Sequence, residues 1–184
     1  MYGKCRRAIQ IQRPYNISVP KTLLDGSGAL SLGALITQLV NYKFNIDLKS
    51  KEVIRESINI VKELKAFDRV CFASFNSSHT DEVLIDSPSA VVSMGMKDVA
   101  YFKFFNYLRK DSKILQVPLN WKGINILNSK LIRKAKDKDL FIHVWTINDR
   151  ESITKLMDMG VHGIVTDKPE LIMEIMKEKN LIFS

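Results

Sequence analysis

The chain has little of what staples or anchors a small domain. Its two cysteines, Cys5 and Cys71, are too few and too far apart for a zinc set or a disulfide framework, and they suit a reducing compartment, so a cytoplasmic location is expected. Three histidines, His79, His143 and His162, form no His-X-X-X-His or comparable metal pattern. No apolar run is long enough to cross a bilayer, since the stretch around Leu30 to Val40 is short and interrupted. The amino terminus lacks the apolar core of a signal peptide. Aromatics are not interleaved with basic residues in a nucleic-acid motif, which argues against a nucleic-acid partner.

Positive charge and regular periodicity are what the chain does have. A net charge of +8 with a sequence pI near 9.5 favours anionic ligands or surfaces. Lysines are scattered over helical stretches, and the densest run, RKAKDKD (Arg133 to Asp139), has the pattern of a solvated face. YFKFFNYL (Tyr101 to Leu108) is aromatic with basic flanks. It serves either peripheral membrane contact or ordinary helix packing.

Strands alternate with helices through short connections. Phe44 to Lys49 (FNIDLK) reads as a strand, and from Glu52 to Lys65 the apolar residues Val53, Ile54, Ile58, Val61 and Leu64 share one helical face. VCFAS (Val70 to Ser74) and AVVSM (Ala90 to Met94) are the next strands, and ILQVP (Ile114 to Pro118) is a short extended piece ended by proline. Phe141 to Ile147 is apolar enough for a strand buried on both faces. Asn148 is placed to cap the following helix, with Glu151 three positions on; Ile153, Leu156 and Met157 form its stripe and Gly160 its stop. Val161 to Val165 opens another strand, and Lys168-Pro169 another helix. The pattern is that of parallel βαβ units, hence an α/β fold. Periodicity alone leaves a barrel and a doubly wound sheet both open.

Strand alternation selects candidate site residues. Asn45, Asp47 and Lys49 share one face of their strand, opposite Phe44, Ile46 and Leu48. A carboxylate there suits a hard cation such as Mg²⁺ or Ca²⁺, and the ammonium beside it suits a phosphate oxygen; a structural ion pair is the alternative. Trp145 shares a face with Phe141, His143 and Ile147 and either lines a pocket or fills the core. His79 is expected in a loop after its strand, in a surface or capping role. Ser74 ends a strand with no histidine beside it in sequence, so a nucleophile is weakly supported. His162 falls in a helix-to-strand turn, Asp167 caps or orients the turn that follows, and Gln116 acquires no role.

The stretch LFIHVWTINDRESITKLMDMGVHGIVTDKP (Leu140 to Pro169) resembles the closing strands of the glycerophosphodiester phosphodiesterase family, which show a "vWT(V/I)N" strand, a helix and a "GVDGI(I/V)TDxP" strand. FNIDLK is similar to the family's "N(I/V)(D/E)(I/L)K". The resemblance runs from Val19 to Lys177 and begins at VPKTLL, where the family has "(I/V)PxLxE" and this chain has Asp25 after it. It implies a partial (β/α)8 TIM-like barrel whose five strands FNIDLK, VCFAS, AVVSM, FIHVWTI and GIVTD match about the fourth to eighth. A full barrel takes about 250 residues, or roughly 200 at least, against 184 here. Residues 1–18 are accordingly expected to be an irregular basic segment and 19–184 the later part of the phosphodiesterase domain.

The family's "HRG", "ExD" and "HD" strands, which carry its two catalytic histidines and most metal ligands, have no equivalent in this sequence. What the resemblance implies for the rest is Asp47 as a metal ligand, in place of a frequent glutamate, Lys49 in the active site and Trp145 lining the substrate pocket. It implies a phosphoric diester hydrolase acting with Mg²⁺ or Ca²⁺ on a glycerophosphodiester or lysophospholipid, releasing glycerol 3-phosphate or lysophosphatidic acid and an alcohol. Without the histidines the chain is expected to be inactive alone: part of a longer enzyme, completed by an oligomer or a complementing chain, or a noncatalytic anion-binding or interaction module.

Overall fold

The computed structural model describes residues 32–181 and the backbone of β1 (Ala8–Ile11). The chain divides into two compact units, one of Tyr15–Ser112 and one of Met1–Pro14 with Lys113–Ser184. Val19 and Asp25, where the family pattern was expected to begin, lie outside the described residues.

The Tyr15–Ser112 unit runs α1 (Leu32–Gln38), β2 (Phe44–Asp47), α2 (Glu52–Glu63), β3 (Val70–Ala73), α3 (Ser77–Asp86), β4 (Val91–Met94) and α4 (Met96–Phe105). Its strands are parallel in the order β2-β3-β4, with Phe44 opposite Val70 and Asp47 opposite Ala73, then Cys71 opposite Val91. β3 and β4 are almost wholly buried, which is why they read as continuous apolar runs. On α2 the buried positions are Ile54, Ser57, Ile58 and Val61, one helical face, while Val53 and Leu64 lie on its exposed margin at 40% and 38%. That narrows the expected stripe by one residue at each side. Ile54, Ile58 and Val61 meet Ile36, Val70, Phe72, Val83 and Val92 in one core. Burying each such side chain contributes about 1.5–3 kcal/mol.

Two arginines close this unit. The Arg69 guanidinium donates to the carbonyls of Ile36 (2.6 Å) and Leu39 (3.0 Å), satisfying the last turn of α1, and lies 5.4 Å from the Phe44 ring. Arg109, only 9% exposed, binds Asp81 (2.7 Å), Asp98 (3.3 Å) and Asp111 (2.5 Å) and donates to Thr80 Oγ1 (3.0 Å). Asp98 also accepts from Ser77 Oγ (2.8 Å) and from the Gly95 amide (3.2 Å), joining the starts of α3 and α4.

The second unit contains β5 (Ile114–Val117), β6 (Asn120–Trp121), β7 (Ile124–Asn125), α5 (Ser129–Asp137), β8 (Phe141–Val144), α6 (Arg150–Asp158), β9 (Gly163–Thr166) and α7 (Pro169–Glu178). Its parallel strands run β1-β9-β8-β5, and β6-β7 is a separate antiparallel hairpin. Two sequence expectations change here. ILQV is a full strand, paired from Ile114 opposite Phe141 to Val117 opposite Val144, so residues 44–166 hold six parallel strands instead of five. Residues 8–11 were expected to be irregular, yet they pair in parallel with β9, Ala8 opposite Gly163 and Ile11 opposite Thr166. RKAKDKD lies at the end of α5 and just beyond it, with Ala135 buried and Arg133, Lys136, Asp137, Lys138 and Asp139 exposed, a solvated face as read from sequence. No helix among the described residues is long and apolar enough to cross a membrane.

Gly95 tests the packing behind the β3 and β4 ends. A Cβ there would come within 2.5 Å of Ser77 Oγ, 2.7 Å of the Ser77 amide nitrogen and 3.0 Å of Phe75 O. Two of these atoms are backbone and cannot swing aside. Gly95→Ala is therefore expected to cost about 1–3 kcal/mol of stability in urea unfolding, and an unchanged midpoint would show that the α3 and α4 starts are not held against each other.

Candidate functional site

Within the Tyr15–Ser112 unit, the carboxyl ends of β2 and β3 place the charged candidates. The ladder continues one residue past β2, where the Leu48 amide donates to Ala73 O (2.7 Å). The Leu48 carbonyl accepts from Ser74 Oγ (2.8 Å) and stands 3.2 Å from His79 Nδ1, which is also 3.1 Å from Ser74 Oγ. A carbonyl can only accept, so His79 Nδ1 carries a proton that points at Leu48 O. With Leu48 buried and its backbone held on both sides, Asp47 and Lys49 project from the opposite, solvent-facing side. Their side chains are 37% and 73% exposed and form an ion pair (2.5 Å), and Lys49 Nζ is 5.7 Å from the Phe75 ring.

Sequence reasoning missed this clamp. His79 was expected in a loop; it sits in the first turn of α3, five residues after Ser74, and turns back onto the β2 end. The nucleophile possibility for Ser74 falls on geometry. Ser74 is 8% exposed, its hydroxyl donates to a carbonyl, and the histidine beside it offers a donor where a base would offer a lone pair. Glu52 is a further neighbour. Its carboxyl is held below the usual range first by a hydrogen bond from Ser50, then by its own backbone amide, with the charges of His79 and Lys51 helping against a small burial cost.

In the other unit, Trp145 follows β8 directly, and its amide donates to Val117 O (3.1 Å). Its ring stands edge-on to Trp121 with centroids 6.5 Å apart. Trp121 is carried by the β6-β7 hairpin, whose two turn residues, Lys122 and Gly123, both have positive φ (48° and 79°). That is a two-residue turn of the primed kind, and the Lys-Gly pair between Trp121 and Ile124 was its sequence signal. Trp121 had not been singled out.

Asn148 has a different task from the one expected. Asp149 caps α6 instead, accepting from the Ser152 amide (2.8 Å), and that hydrogen bond lowers the Asp149 carboxyl below its ordinary range. Asn148 Oδ1 accepts from Thr166 Oγ1 (3.0 Å) and the Asp167 amide (2.9 Å), and its Nδ2 donates to Asp167 Oδ2 (3.0 Å). Thr166 Oγ1 takes the Lys168 amide (3.0 Å) at the entry to α7. Asp167 thus orients the turn through Asn148 rather than capping the helix.

The two other histidines are committed elsewhere. His162 precedes β9 at its amino-terminal end, accepts the Ile142 amide at Nδ1 (3.1 Å) and meets the Phe141 ring edge-on at 5.1 Å. His143 lies within β8, where burial first and the His162 charge second push its pKa down to about 4. It is neutral at physiological pH. Among the described residues no three His, Cys, Asp or Glu side chains converge to hold a metal ion. Mg²⁺ or Ca²⁺ takes six or more oxygens, so Asp47 offers one ligand and the described residues do not fit a complete metal site.

A sequence model of the glycerophosphoryl diester phosphodiesterase family matches residues 29–171. The chain belongs to the glycerophosphoryl diester phosphodiesterase family. It is 22% identical over 161 residues to the Mycobacterium tuberculosis protein named "Probable glycerophosphodiester phosphodiesterase 2", a match covering 82% of this chain and 61% of that relative's length. A glycerophosphodiester phosphodiesterase structure from Parabacteroides distasonis matches at TM-score 0.67 and 24% identity, over 87% of this chain and 70% of that one. An Oleispira antarctica phosphodiesterase, solved with the product sn-glycerol-3-phosphate, matches at TM-score 0.63 and 18% identity, over 80% and 61%. These likenesses establish the fold as part of a TIM-like (β/α) barrel of the phosphodiesterase type.

Two measurements check the assignments above. Asn148→Ala strands the buried Thr166 hydroxyl and the Asp167 amide and is expected to lower stability by about 1–3 kcal/mol in urea unfolding. His143 binds its proton less readily in the folded chain (about 4) than in the unfolded one (6.5), so stability is full above the unfolded value and falls as pH drops. Between about pH 7 and about pH 4.5 the loss from this group is on the order of 2–3 kcal/mol. The difference in unfolding free energy between wild type and His143→Gln should shrink by that amount over the interval; a difference constant with pH would place the imidazole in water.

Proposed function

We propose that this chain carries the phosphate-facing part of a metal-dependent glycerophosphodiester phosphodiesterase, with Asp47, Lys49 and Trp145 as its contributions. The observation that carries the proposal is the Asp47–Lys49 pair on the solvent-facing side of a backbone clamped at Leu48, in a chain of this family. A lysine and an aspartate paired in water gain little from each other, so a phosphate oxygen and a cation can replace the pair at small cost. Lys49 would take a phosphate oxygen as a point charge and Asp47 would be one ligand of a Mg²⁺ or Ca²⁺ ion completed from outside the described residues. The chemistry such an ion would supply beside Asp47 is neutralisation of phosphoryl charge. Trp145, with Trp121 edge-on to it, would give the substrate an apolar wall.

The reaction in this proposal is hydrolysis: water adds to phosphorus, the bond to the leaving oxygen breaks, and glycerol 3-phosphate and an alcohol are released. A lysophospholipid would yield lysophosphatidic acid by the same step. General acid-base transfer needs groups in reach of those oxygens. His79 Nδ1, His143 and His162 are engaged or buried, and the sequence holds no His-Arg-Gly or Glu-X-Asp motif. The proposal therefore includes that the chain alone is inactive and that strands bearing those motifs, in the same polypeptide or a partner, complete it.

Release of glycerol 3-phosphate from glycerophosphocholine with Mg²⁺ or Ca²⁺ tests this. The expected outcome is no turnover by the chain alone and turnover once a segment with the missing motifs is supplied. In the completed protein Asp47→Asn should lower kcat about 100-fold or more, and Lys49→Ala should weaken inhibition by glycerol 3-phosphate. A folded, completed protein that stays inactive, yet binds glycerol 3-phosphate through Lys49, would replace the enzyme with an anion-binding module.

A further inference from the structure

α4 and the turn after it present an aromatic surface that hydrolysis leaves unused. Phe102 points inward and is fully buried, whereas Tyr101, Phe104, Phe105 and Tyr107 are 41%, 57%, 74% and 67% exposed. Asn106 ends the helix in the left-handed conformation (φ 59°), which turns the chain back so that the Tyr107 amide donates to Tyr101 O (3.3 Å). The Tyr101 ring lies 5.9 Å from Phe105 and 6.2 Å, edge-on, from Tyr107. These three rings form one continuous patch. Lys97 Nζ sits 5.7 Å from the Tyr101 ring and Lys103 Nζ 5.7 Å from the Phe104 ring.

The charge around the patch is net positive. Residues 97–113 contain five basic side chains (Lys97, Lys103, Arg109, Lys110, Lys113) and two acidic ones (Asp98, Asp111). Asp98 and Asp111 are both held by the nearly buried Arg109, and the lysines of this segment outnumber its carboxylates. A second copy docked on this face by two-fold symmetry would bring lysines against lysines. A dry protein groove is a poor match for rings interleaved with ammonium groups. An anionic bilayer matches both parts, since aromatic rings favour the headgroup boundary and lysines are drawn to its negative surface.

We propose that the α4 surface of Tyr101, Phe105 and Tyr107, with Lys97 and Lys103, docks the protein onto anionic lipid bilayers. This holds independently of the hydrolytic role, since none of these residues belongs to it.

Co-sedimentation of the full chain with vesicles decides the matter. Binding is expected to vesicles of phosphatidylcholine mixed with phosphatidylglycerol, not to phosphatidylcholine alone, with release in high salt. Lys97→Gln and Lys103→Gln should each weaken partitioning roughly fivefold. The double variant Phe105→Ser/Tyr107→Ser should weaken it further, while circular dichroism and melting temperature stay at wild-type values because those rings are exposed. Equal binding to neutral vesicles, no binding, or binding unaffected by the aromatic variant would overturn the proposal. So would a dimer, seen by light scattering, that the aromatic variant dissociates, because the face would then belong to a second copy.

Discussion

Backbone hydrogen bonds made just beyond the four-residue strands fix where the polar side chains of this protein stand. A strand that short forms few ladder bonds, and the amides and carbonyls that follow it still need partners. Leu48 N finds Ala73 O, Met96 N finds Phe75 O, Trp145 N finds Val117 O and Ile147 N finds Val165 O. Carbonyls and amides left over are taken by side chains: Ser74 and His79 on Leu48, Asp98 on Gly95, Asn148 on Asp167, Thr166 on Lys168. The strand ends are rigid because polar residues are committed there. The same commitment withdraws those residues from chemistry and leaves Asp47 and Lys49 facing solvent.

Two kinds of ion pair separate structure from availability. Arg109 is nearly buried among three aspartates, and removing its guanidinium would leave the largely buried Asp98 carboxylate without its cation. Lys49 and Asp47 are solvated, and their attraction is screened. A ligand entering at the first cluster would have to dismantle the joint between α3 and α4, whereas at the second it needs only to displace one exposed contact. Position in the sequence does not distinguish them, since each is a basic residue two positions from an aspartate; solvent exposure does.

Much of the fold was legible in the sequence because burial imposes a period. The α2 stripe, the buried β3 and β8 runs and the Gly160 stop follow from repeats of 3.6 and from glycine's tolerance of positive φ. β5 was harder because Gln116 interrupts its apolar run and Pro118 closes it, where β3 and β4 of the same length read as continuous apolar runs. β1 is equally short and sits among arginines. Asn148 and Asp149 are both good caps standing side by side, and only the position of Thr166 across the sheet decides which one is used. The His79 clamp rests on a carbonyl 31 positions away, a contact no residue type announces. Asp47, Lys49 and Trp145 were legible as positions, through alternation and family resemblance, while Trp121 needed the hairpin turn to be recognised first.

The histidines show how folding commitments limit what the chain can do. His162 must keep a lone pair on Nδ1 to receive the Ile142 amide, and His79 must keep a proton on Nδ1 to reach the Leu48 carbonyl. His143 is held neutral because burial and a neighbouring imidazole both oppose its charge. A general acid must carry a proton near neutral pH and release it to a leaving oxygen, and a group with a pKa near 4 carries almost none. His143 fails that requirement by electrostatics. On His79 the nitrogen not engaged by the Leu48 carbonyl is Nε2, and its orientation is set by the same clamp that fixes the backbone between Asp47 and Lys49. Any substitution that freed His79 for proton transfer would loosen the strand end that presents the charged pair. Positioning and proton transfer therefore compete for one imidazole, which is the physical reason to assign the acid-base role in the proposed reaction to groups other than these three.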